Sequence, residues 1–246
     1  MSALVSIIIP CFNSESTIRR AIESCLSQTH LQIEVIVVDD ASIDNSRKIV
    51  RQICEREDRV KFFDLPKNMG VSYARNFGLR VASGDFISTL DSDDFYEVQK
   101  IEYELKALMS GEFVAAFSGV KKIDLAGTHI ENKSFPRVIF RKDIIYRRWV
   151  PRDFLIKREL LIAHSLMFDE NISIFEDWDW KLRLASHGPM INSGVTGTHY
   201  VQHEEGLSSI SGIKIIFGLM NVFLRNCTRS EYLGFAAVLY NSIFRR

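Results

Sequence analysis

Short apolar runs alternate with helical segments over the first 110 residues, and this alternation restricts the fold more than any other feature of the chain. The runs are rich in Val, Ile and Phe, as strands covered on both faces are, and they occupy residues 5–9, 33–38, 60–64 and 86–90. Between and after them, apolar residues spaced three and four apart predict helices that include Ile18, Ile49, Val71 and Ile101. The pattern predicts an α/β fold of the Rossmann-like kind, with a mostly parallel sheet flanked by helices.

The size and composition of the chain indicate which kinds of protein it can be. Its 246 residues are enough for one large domain with its own core, and the 31 basic and 31 acidic residues cancel, which argues against a nucleic-acid partner. The four cysteines show no metal-binding spacing, and we interpret them as reduced, buried thiols. No basic segment of a signal peptide is present, and no apolar run reaches the roughly 18–20 residues of a spanning helix. We expect a cytoplasmic protein, soluble or peripheral to a membrane.

The pattern changes after residue 110. Strand candidates at 114–117 and 120–123 precede a basic stretch, 133–158, with nine Lys or Arg and two Asp. This stretch is either solvated surface or a rim that attracts a diphosphate-bearing substrate. Residues 212–246 predict two short apolar helices with five basic residues and one acidic residue. They either pad the main domain or lie on an anionic membrane surface. We divide the chain into a main domain, 1–210, with halves 1–110 and 111–210, and a helical appendage, 211–246.

Polar residues follow three of the predicted strands, at the carboxyl ends where ligands bind to open α/β sheets. They are Pro10-Cys11-Phe12-Asn13, Asp39-Asp40-Ala41-Ser42 and Asp91-Ser92-Asp93-Asp94. Carboxylates so close repel one another, and a bound cation relieves the repulsion. The spacing of Asp91 and Asp93 suits Mg²⁺ or Mn²⁺ together with substrate phosphates. The alternative is that these acids only cap the next helix.

The paired aspartates after the second strand favour a nucleotide site, because a carboxylate there can accept a hydrogen bond from a base or ribose.

Two further candidates lie late in the chain. Glu176 and Asp177 precede a predicted helix, and a carboxylate beside Trp178 would have a raised pKa and act as a base, although it would equally suit a helix cap. His203 is a candidate metal ligand or diphosphate contact, although an isolated histidine is more often structural.

Absent motifs remove several nucleotide-binding classes. Neither GxGxxG after the first strand nor GxxxxGK[ST] occurs, which argues against a dinucleotide clamp and a P-loop NTPase. A nucleotidyltransferase usually has a Gly-rich, basic loop where this chain has PCFNSES. A non-catalytic protein that binds nucleotide or a partner protein remains the alternative to an enzyme, although all the acids are present.

Several motifs follow one another in order along residues 4–210. They are VSIIIPCFN, EVIVVDDASIDNS, NMGVSYARNFGL, SGDFISTLDSDD, the stretch from FLIKRELL to FDE, and FEDWDW. Together they resemble glycosyltransferase family 2, the inverting enzymes of GT-A fold that build bacterial surface polysaccharides such as lipopolysaccharide. The resemblance implies a nucleotide-binding half in 1–110 and an acceptor half in 111–210.

The resemblance also implies roles for individual residues. Substrate contacts would come from residues that follow the strands, begin the third helix or form the ED motif: Pro10, Phe12, Asn13, Asp39, Asp40, Arg75, Asn76, Asp91, Ser92 and Glu176. Among them, Asp40 is the better candidate for the base contact, and Arg75 would neutralise donor phosphate. Mn²⁺ or Mg²⁺ would be held by Asp91, Asp93 and His203, with Asp93 as the principal carboxylate. Asp177 matches the general base.

The implied reaction is a single displacement at the anomeric carbon of a nucleotide-diphosphate sugar, with UDP-linked hexose or N-acetylhexosamine expected as donor. Asp177 would remove a proton from the hydroxyl of a saccharide or lipid-linked acceptor, and the metal would stabilise the departing nucleoside diphosphate. The configuration of the anomeric carbon would invert. The C-terminal segment would bring this site to the inner face of the cytoplasmic membrane.

Overall fold

The computed structural model describes residues 3–146, 150–202, 212–228 and 231. The strands in these ranges are β1 (Val5–Cys11), β2 (Ile33–Asp39), β3 (Val60–Asp64), β4 (Phe86–Thr89), β5 (Phe95–Tyr96), β6 (Ala115–Ile123), β7 (His129–Lys133), β8 (Val138–Ile139), β9 (Leu155–Lys157) and β10 (Met190–Val201). The helices are α1 (Ile18–Leu26), α2 (Ser46–Cys54), α3 (Val71–Val81), α4 (Lys100–Leu108), α5 (Arg141–Ile145), α6 (Arg158–Ala163), α7 (Glu176–Ala185) and α8 (Gly212–Asn226).

These strands form one sheet, in the order β3-β2-β1-β4-β9-β6-β10-β5, with β7 beside β6 and β8 beside β10. The first four strands run parallel, as predicted. Beyond them the sheet is mixed, because β9 enters antiparallel between β4 and β6. Apolar side chains pack on both faces of the sheet and form two core clusters. The predicted α/β fold is confirmed, and the two predicted halves share a single sheet.

The early strands and helices match the sequence pattern closely. Each of the first four strands ends within two residues of its predicted limit, because a strand buried on both faces leaves a continuous apolar run. The two strands predicted at 114–117 and 120–123 are instead one strand, β6. Gly119 interrupts the apolar run, yet it pairs with Thr196 of β10 and so continues the strand.

Helix α3 lies unusually close to β1, and this contact places the residues that follow Gly70. A Cβ atom built on Gly78 would lie 2.4 Å from Cγ2 of Ile8, which is far shorter than a normal contact. Glycine is therefore needed at this position for steric reasons. Arg75, one helical turn earlier on α3, is thereby held at the carboxyl ends of the strands.

Helix α8 packs one face on the main domain, which is the first of the two interpretations of the C-terminal segment. The side chains of Ile215, Leu219, Val222 and Phe223 are buried and belong to the same core cluster as those of α7. The opposite face of α8 is exposed. Among the residues that the structure describes, no helix is both long and apolar enough to cross a bilayer.

All four cysteines lie in the described ranges and are free thiols. Cys11 and Cys25 are buried as predicted, whereas Cys54 and Cys227 are only partly buried, because they lie at or just beyond helix ends.

We expect Gly78→Ala to lower the free energy of unfolding by about 1–3 kcal/mol, because overpacking against Ile8 outweighs the roughly 1 kcal/mol by which Ala is favoured over Gly in a helix. Urea unfolding followed by circular dichroism measures the change. Ile8→Ala removes the carbons that the new Cβ would meet most closely, so the cost of Gly78→Ala should shrink in that background. An equal cost in both backgrounds would contradict the steric explanation.

Candidate active site

Residues from three parallel strands meet at one edge of the sheet and line a cavity of about 570 Å³, called the first cavity here. Its lining includes most of the residues predicted to bind substrate, together with the predicted metal ligand Asp93; the substrate residues are Pro10, Phe12, Asn13, Asp40, Arg75, Asp91 and Ser92. A second cavity of about 280 Å³ is lined by residues from both halves of the chain, among them Arg75, Asp91, Asp94, Arg152, Phe168, Glu176, Asp177, Trp180 and Lys181. Because Arg75 and Asp91 line both, the two cavities adjoin.

The turn after β1 is fixed by the turn after β2. Asn13 has a left-handed backbone, with φ of 49°, a conformation that Asn adopts more readily than most residues. Its N–H donates to Oγ of Ser42 at 2.9 Å, and its Oδ1 accepts from the N–H of Ile43 at 2.9 Å. The adjacent Phe12 is about half exposed and forms an apolar wall of the first cavity.

The paired aspartates after β2 have different surroundings. Asp40 lines the first cavity, and its two carboxylate oxygens accept from the N–H groups of Met69 and Gly70, at 2.6 and 2.8 Å. Asp39 is fully buried and accepts from Arg47 Nε at 2.9 Å, so it lines neither cavity. The geometry therefore favours Asp40 over Asp39 for contact with a ligand.

Three carboxylates cluster after β4. Oxygens of Asp91, Asp93 and Asp94 lie within 4.8 Å of one another. This all-oxygen donor set fits a hard divalent cation such as Mg²⁺ or Mn²⁺. The alternative that these acids cap the next helix is wrong, because they precede β5, and α4 begins only at Lys100.

Two arginines balance the charge of this cluster. Arg75, nearly buried, donates to Asp91 at 2.8 Å and to Glu176 at 3.0 Å. Arg152 donates to the second oxygen of Asp91 and to Asp94, both at 2.9 Å. Burial opposes ionisation of Asp91, but the two arginines outweigh it and lower its pKa.

Asp94 behaves differently from Asp91. Burial raises the pKa of Asp94 to about 8, and the charges of Asp91 and Asp93 add to the rise, against the opposing charge of Arg152. Its Oδ1 accepts from the N–H of Val201, at 2.9 Å. Asp94 therefore joins the acidic turn to β10.

Arg152 was not singled out from the sequence. It lies within the basic stretch 133–158, where net charge indicated a rim but gave no reason to prefer one arginine. Its guanidinium lies 4.0 Å from the ring centroid of Tyr200, a cation–π contact that helps to fix its direction. The basic stretch thus contributes at least one residue to the site, while 147–149 lie outside the described residues.

Asn76 was predicted to contact substrate, but it lines neither cavity. Its buried amide donates to the carbonyl oxygen of Phe168 at 2.9 Å and accepts from the N–H of the same residue at 2.8 Å. Phe168 in turn stacks on Trp180, with ring centroids 4.7 Å apart, and both rings line the second cavity. Asn76 therefore holds a wall of that cavity from behind.

Glu176 and Asp177 form the first turn of α7. Phe175 precedes them as the N-cap residue, with a left-handed φ of 67°. Burial and the charge of Asp177 raise the pKa of Glu176, whose side chain is paired with Arg75. Both acids line the second cavity, but the side chain of Asp177 is more exposed, at 43% against 17%.

A carboxylate of the Glu176–Asp177 pair was predicted to have a raised pKa, and this is confirmed for Glu176 but wrong for Asp177. Burial does favour the neutral acid, but Nζ of Lys181 donates to the carboxylate at 2.6 Å and, with Arg75 and Arg152, lowers the pKa to about 2. Lys181 lies four residues later on α7, and this spacing could have indicated the pair from the sequence alone. His203, the third predicted metal ligand, lies outside the described residues.

The chain is similar in sequence to known glycosyltransferases. A family model, Glycosyl transferase family 2, matches residues 6–183. An uncharacterized glycosyltransferase of Haemophilus influenzae is 41% identical over 128 residues, which cover 52% of this chain and 51% of its relative. An uncharacterized glycosyltransferase of Rickettsia felis is 38% identical over 190 residues, which cover 74% of this chain and 30% of that relative. The chondroitin synthase of Escherichia coli is 31% identical over 206 residues, covering 83% and 30%. The chain thus spans about half, or less, of the length of these relatives.

Solved structures show the same architecture. The crystal structure of S. aureus TarS 1-349 is similar with a TM-score of 0.74 at 20% identity, covering 98% of this chain and 73% of that one. The complex of TarS 1-349 with UDP-GlcNAc is similar with a TM-score of 0.74 at 21% identity, covering 98% and 72%. These similarities confirm the predicted GT-A fold. Because the family model matches well over half of its residues, the chain belongs to glycosyl transferase family 2.

Proposed function

We propose that this chain is an inverting glycosyltransferase that moves a sugar from a UDP-sugar to a hydroxyl group of a saccharide or lipid-linked acceptor during synthesis of a cell-surface polysaccharide. The observation that carries the proposal is the junction of the two cavities at Arg75 and Asp91. A donor in the first cavity would present its anomeric carbon at this junction, facing the carboxylates of the second. The UDP-GlcNAc complex of TarS and the polysaccharide made by chondroitin synthase support the choice of substrates.

The first cavity suits a nucleoside. Phe12 offers an apolar surface for a base, and Pro10, Asn13 and Ser92 complete the wall around it. We assign the base contact to Asp40, since it lines the first cavity with its carboxylate held by the N–H groups of Met69 and Gly70, whereas Asp39 lines neither cavity. Arg75 is the cation that would face the donor phosphates.

Asp91, Asp93 and Asp94 would hold Mn²⁺ or Mg²⁺, and His203 is kept as a proposed further ligand. When bound, this cation would neutralise charge on the diphosphate leaving group. The chain supplies positive charge at the same place through Arg75 and Arg152. We propose that these arginines orient the acidic turn and lower the cost of bringing a dianionic diphosphate beside it.

We assign the general base to Asp177. Its carboxylate faces the second cavity and is ionised at neutral pH, with Lys181 keeping its pKa low, so it can accept a proton. As the acceptor oxygen bonds to the anomeric carbon, its proton passes to Asp177. The bond from that carbon to the diphosphate breaks, and its electron pair stays on the diphosphate oxygen. Attack from the side opposite the leaving group inverts the configuration. We propose that Glu176, which is held by Arg75, contacts the substrate and does not act as a second base.

We further propose that the reaction takes place in the cytoplasm, where the free thiols of this chain stay reduced.

Calorimetric titration of UDP should show binding at least about tenfold tighter with Mn²⁺ than with EDTA, because the cation joins the diphosphate to the acidic turn. Asp93→Ala should lose this metal-dependent gain. Asp58→Ala is the control and should keep the gain, because Asp58 is exposed, lies before the start of β3 and lines neither cavity. Titration with GDP tests the choice of nucleotide. If no nucleotide binds with or without metal, the donor site is refuted.

Asp177→Asn should reduce kcat by about 10²–10⁴-fold, since the amide cannot accept the proton. UDP release from a panel of UDP-sugars with saccharide acceptors measures the rate, and UDP affinity should stay within about threefold of wild type. Asp58→Asn should leave both unchanged. A wild-type protein that binds UDP-sugars but never turns them over would favour the non-catalytic alternative.

Lys181→Met should raise the pKa of Asp177, because it removes the nearest cation. The folded-state pKa of Asp177 is depressed in the wild type, so this carboxylate stays ionised to low pH. In the variant, the acid limb of kcat/KM that Asp177 sets should move upward by about one unit or more. Lys106→Met is a matched control, since Lys106 pairs with Glu102 at the same spacing and at 2.6 Å but lies on the exposed surface. An unmoved acid limb would refute the assignment of Asp177.

A further inference from the structure

Helix α8 has a second apolar face that the core does not use. Its exposed apolar side chains are Ile213, Phe217, Met220 and Leu224, which are 68%, 66%, 36% and 60% exposed. Their spacing of four, three and four residues places them in one line along the helix. We call this line the α8 stripe. Single exposed apolar residues are common on soluble proteins, but a continuous line of four along one helix indicates a contact surface.

The charged residues of α8 itself are all basic. Helix α8 contains Lys214 and Arg225 and no Asp or Glu. At 100° per residue, both basic residues lie on the same flank of the stripe. Arg225 is paired with Asp169, while Lys214 is exposed. The segment 212–246 carries five basic residues and one acidic residue. A second copy of this helix would bring like charges together, whereas an anionic surface complements them.

The helix that carries the stripe also packs against the second cavity. A Cβ atom built on Gly218 would lie 3.0 Å from Cδ2 of Phe175 and 3.4 Å from Cγ2 of Ile174. Both of these residues line the second cavity. The position of α8 on any surface therefore sets the distance between that surface and the cavity.

We propose that the α8 stripe inserts into the headgroup region of an anionic lipid bilayer, with α8 lying along the surface. Apolar side chains on one face and a basic flank are the features that hold such a helix at the interface. Lys214 would contact lipid phosphates beside the inserted stripe. This contact needs no nucleotide, so it stands or falls separately from the proposed transferase activity.

Co-sedimentation with vesicles tests the proposal on the full chain without nucleotide. The vesicles are phosphatidylcholine alone, or phosphatidylcholine with about 30 mol% phosphatidylglycerol. The stripe variant, Ile213→Gln with Phe217→Gln and Leu224→Gln, should lower the partition coefficient at least about tenfold. The control variant changes Met109, Leu125 and Ile162 to Gln, since these side chains are 62–66% exposed elsewhere on the surface. It should stay within about twofold of wild type.

The charge can be tested on its own. Lys214→Gln should weaken binding to the anionic vesicles only, and added salt should do the same. Point substitutions are used rather than removal of α8, because its other face belongs to the core. An unchanged melting temperature and circular dichroism spectrum establish that the stripe variant is folded, and the single change Phe217→Gln should give a smaller loss in the same direction.

Three results would overturn the proposal. The first is wild-type protein that stays in the supernatant with both kinds of vesicle. The second is an equal decrease of the partition coefficient in the stripe variant and the control variant. Light scattering that shows a wild-type dimer, made monomeric only by the stripe variant, would assign the stripe to contact between copies of this chain instead.

Discussion

The guanidinium of Arg75 joins two parts of the chain that are distant in sequence. It donates to Asp91 at the end of β4 and to Glu176 at the start of α7, at 2.8 and 3.0 Å. A nearly buried guanidinium that lost either carboxylate would carry a large desolvation cost, so the arrangement is stable only when both acids are in place. Because Arg75 also lines both cavities, their relative position depends on this pair of contacts.

The two acids at the start of α7 show how neighbouring side chains come to differ. Successive residues on a helix point about 100° apart, so Glu176 meets Arg75 while Asp177 meets Lys181. Burial raises the pKa of Glu176, and Lys181 lowers the pKa of Asp177. The more exposed of the two carboxylates is thus the one that stays ionised at low pH. Local helix geometry, rather than the ED motif as such, separates their chemical properties.

Prediction from the sequence succeeded where a residue's surroundings follow from its place in an element. Asp40, Asp91 and Asp93 line the first cavity because the ends of parallel strands must share an edge. The sequence did not show which neighbouring side chains turn away from the cavities. Asp39 precedes Asp40 yet is buried against Arg47, and Asn76 follows Arg75 yet faces Phe168.

The sequence alone determined the order of the early strands and helices, the acids at the strand ends and the spacing of Asp177 and Lys181, because these depend on local periodicity. Tertiary structure decided which charges meet. Arg152 reaches Asp91 across 61 residues of chain, and Arg75 reaches Glu176 across 101. Such pairs form only when the elements bearing them pack against one sheet, and no local pattern encodes that packing.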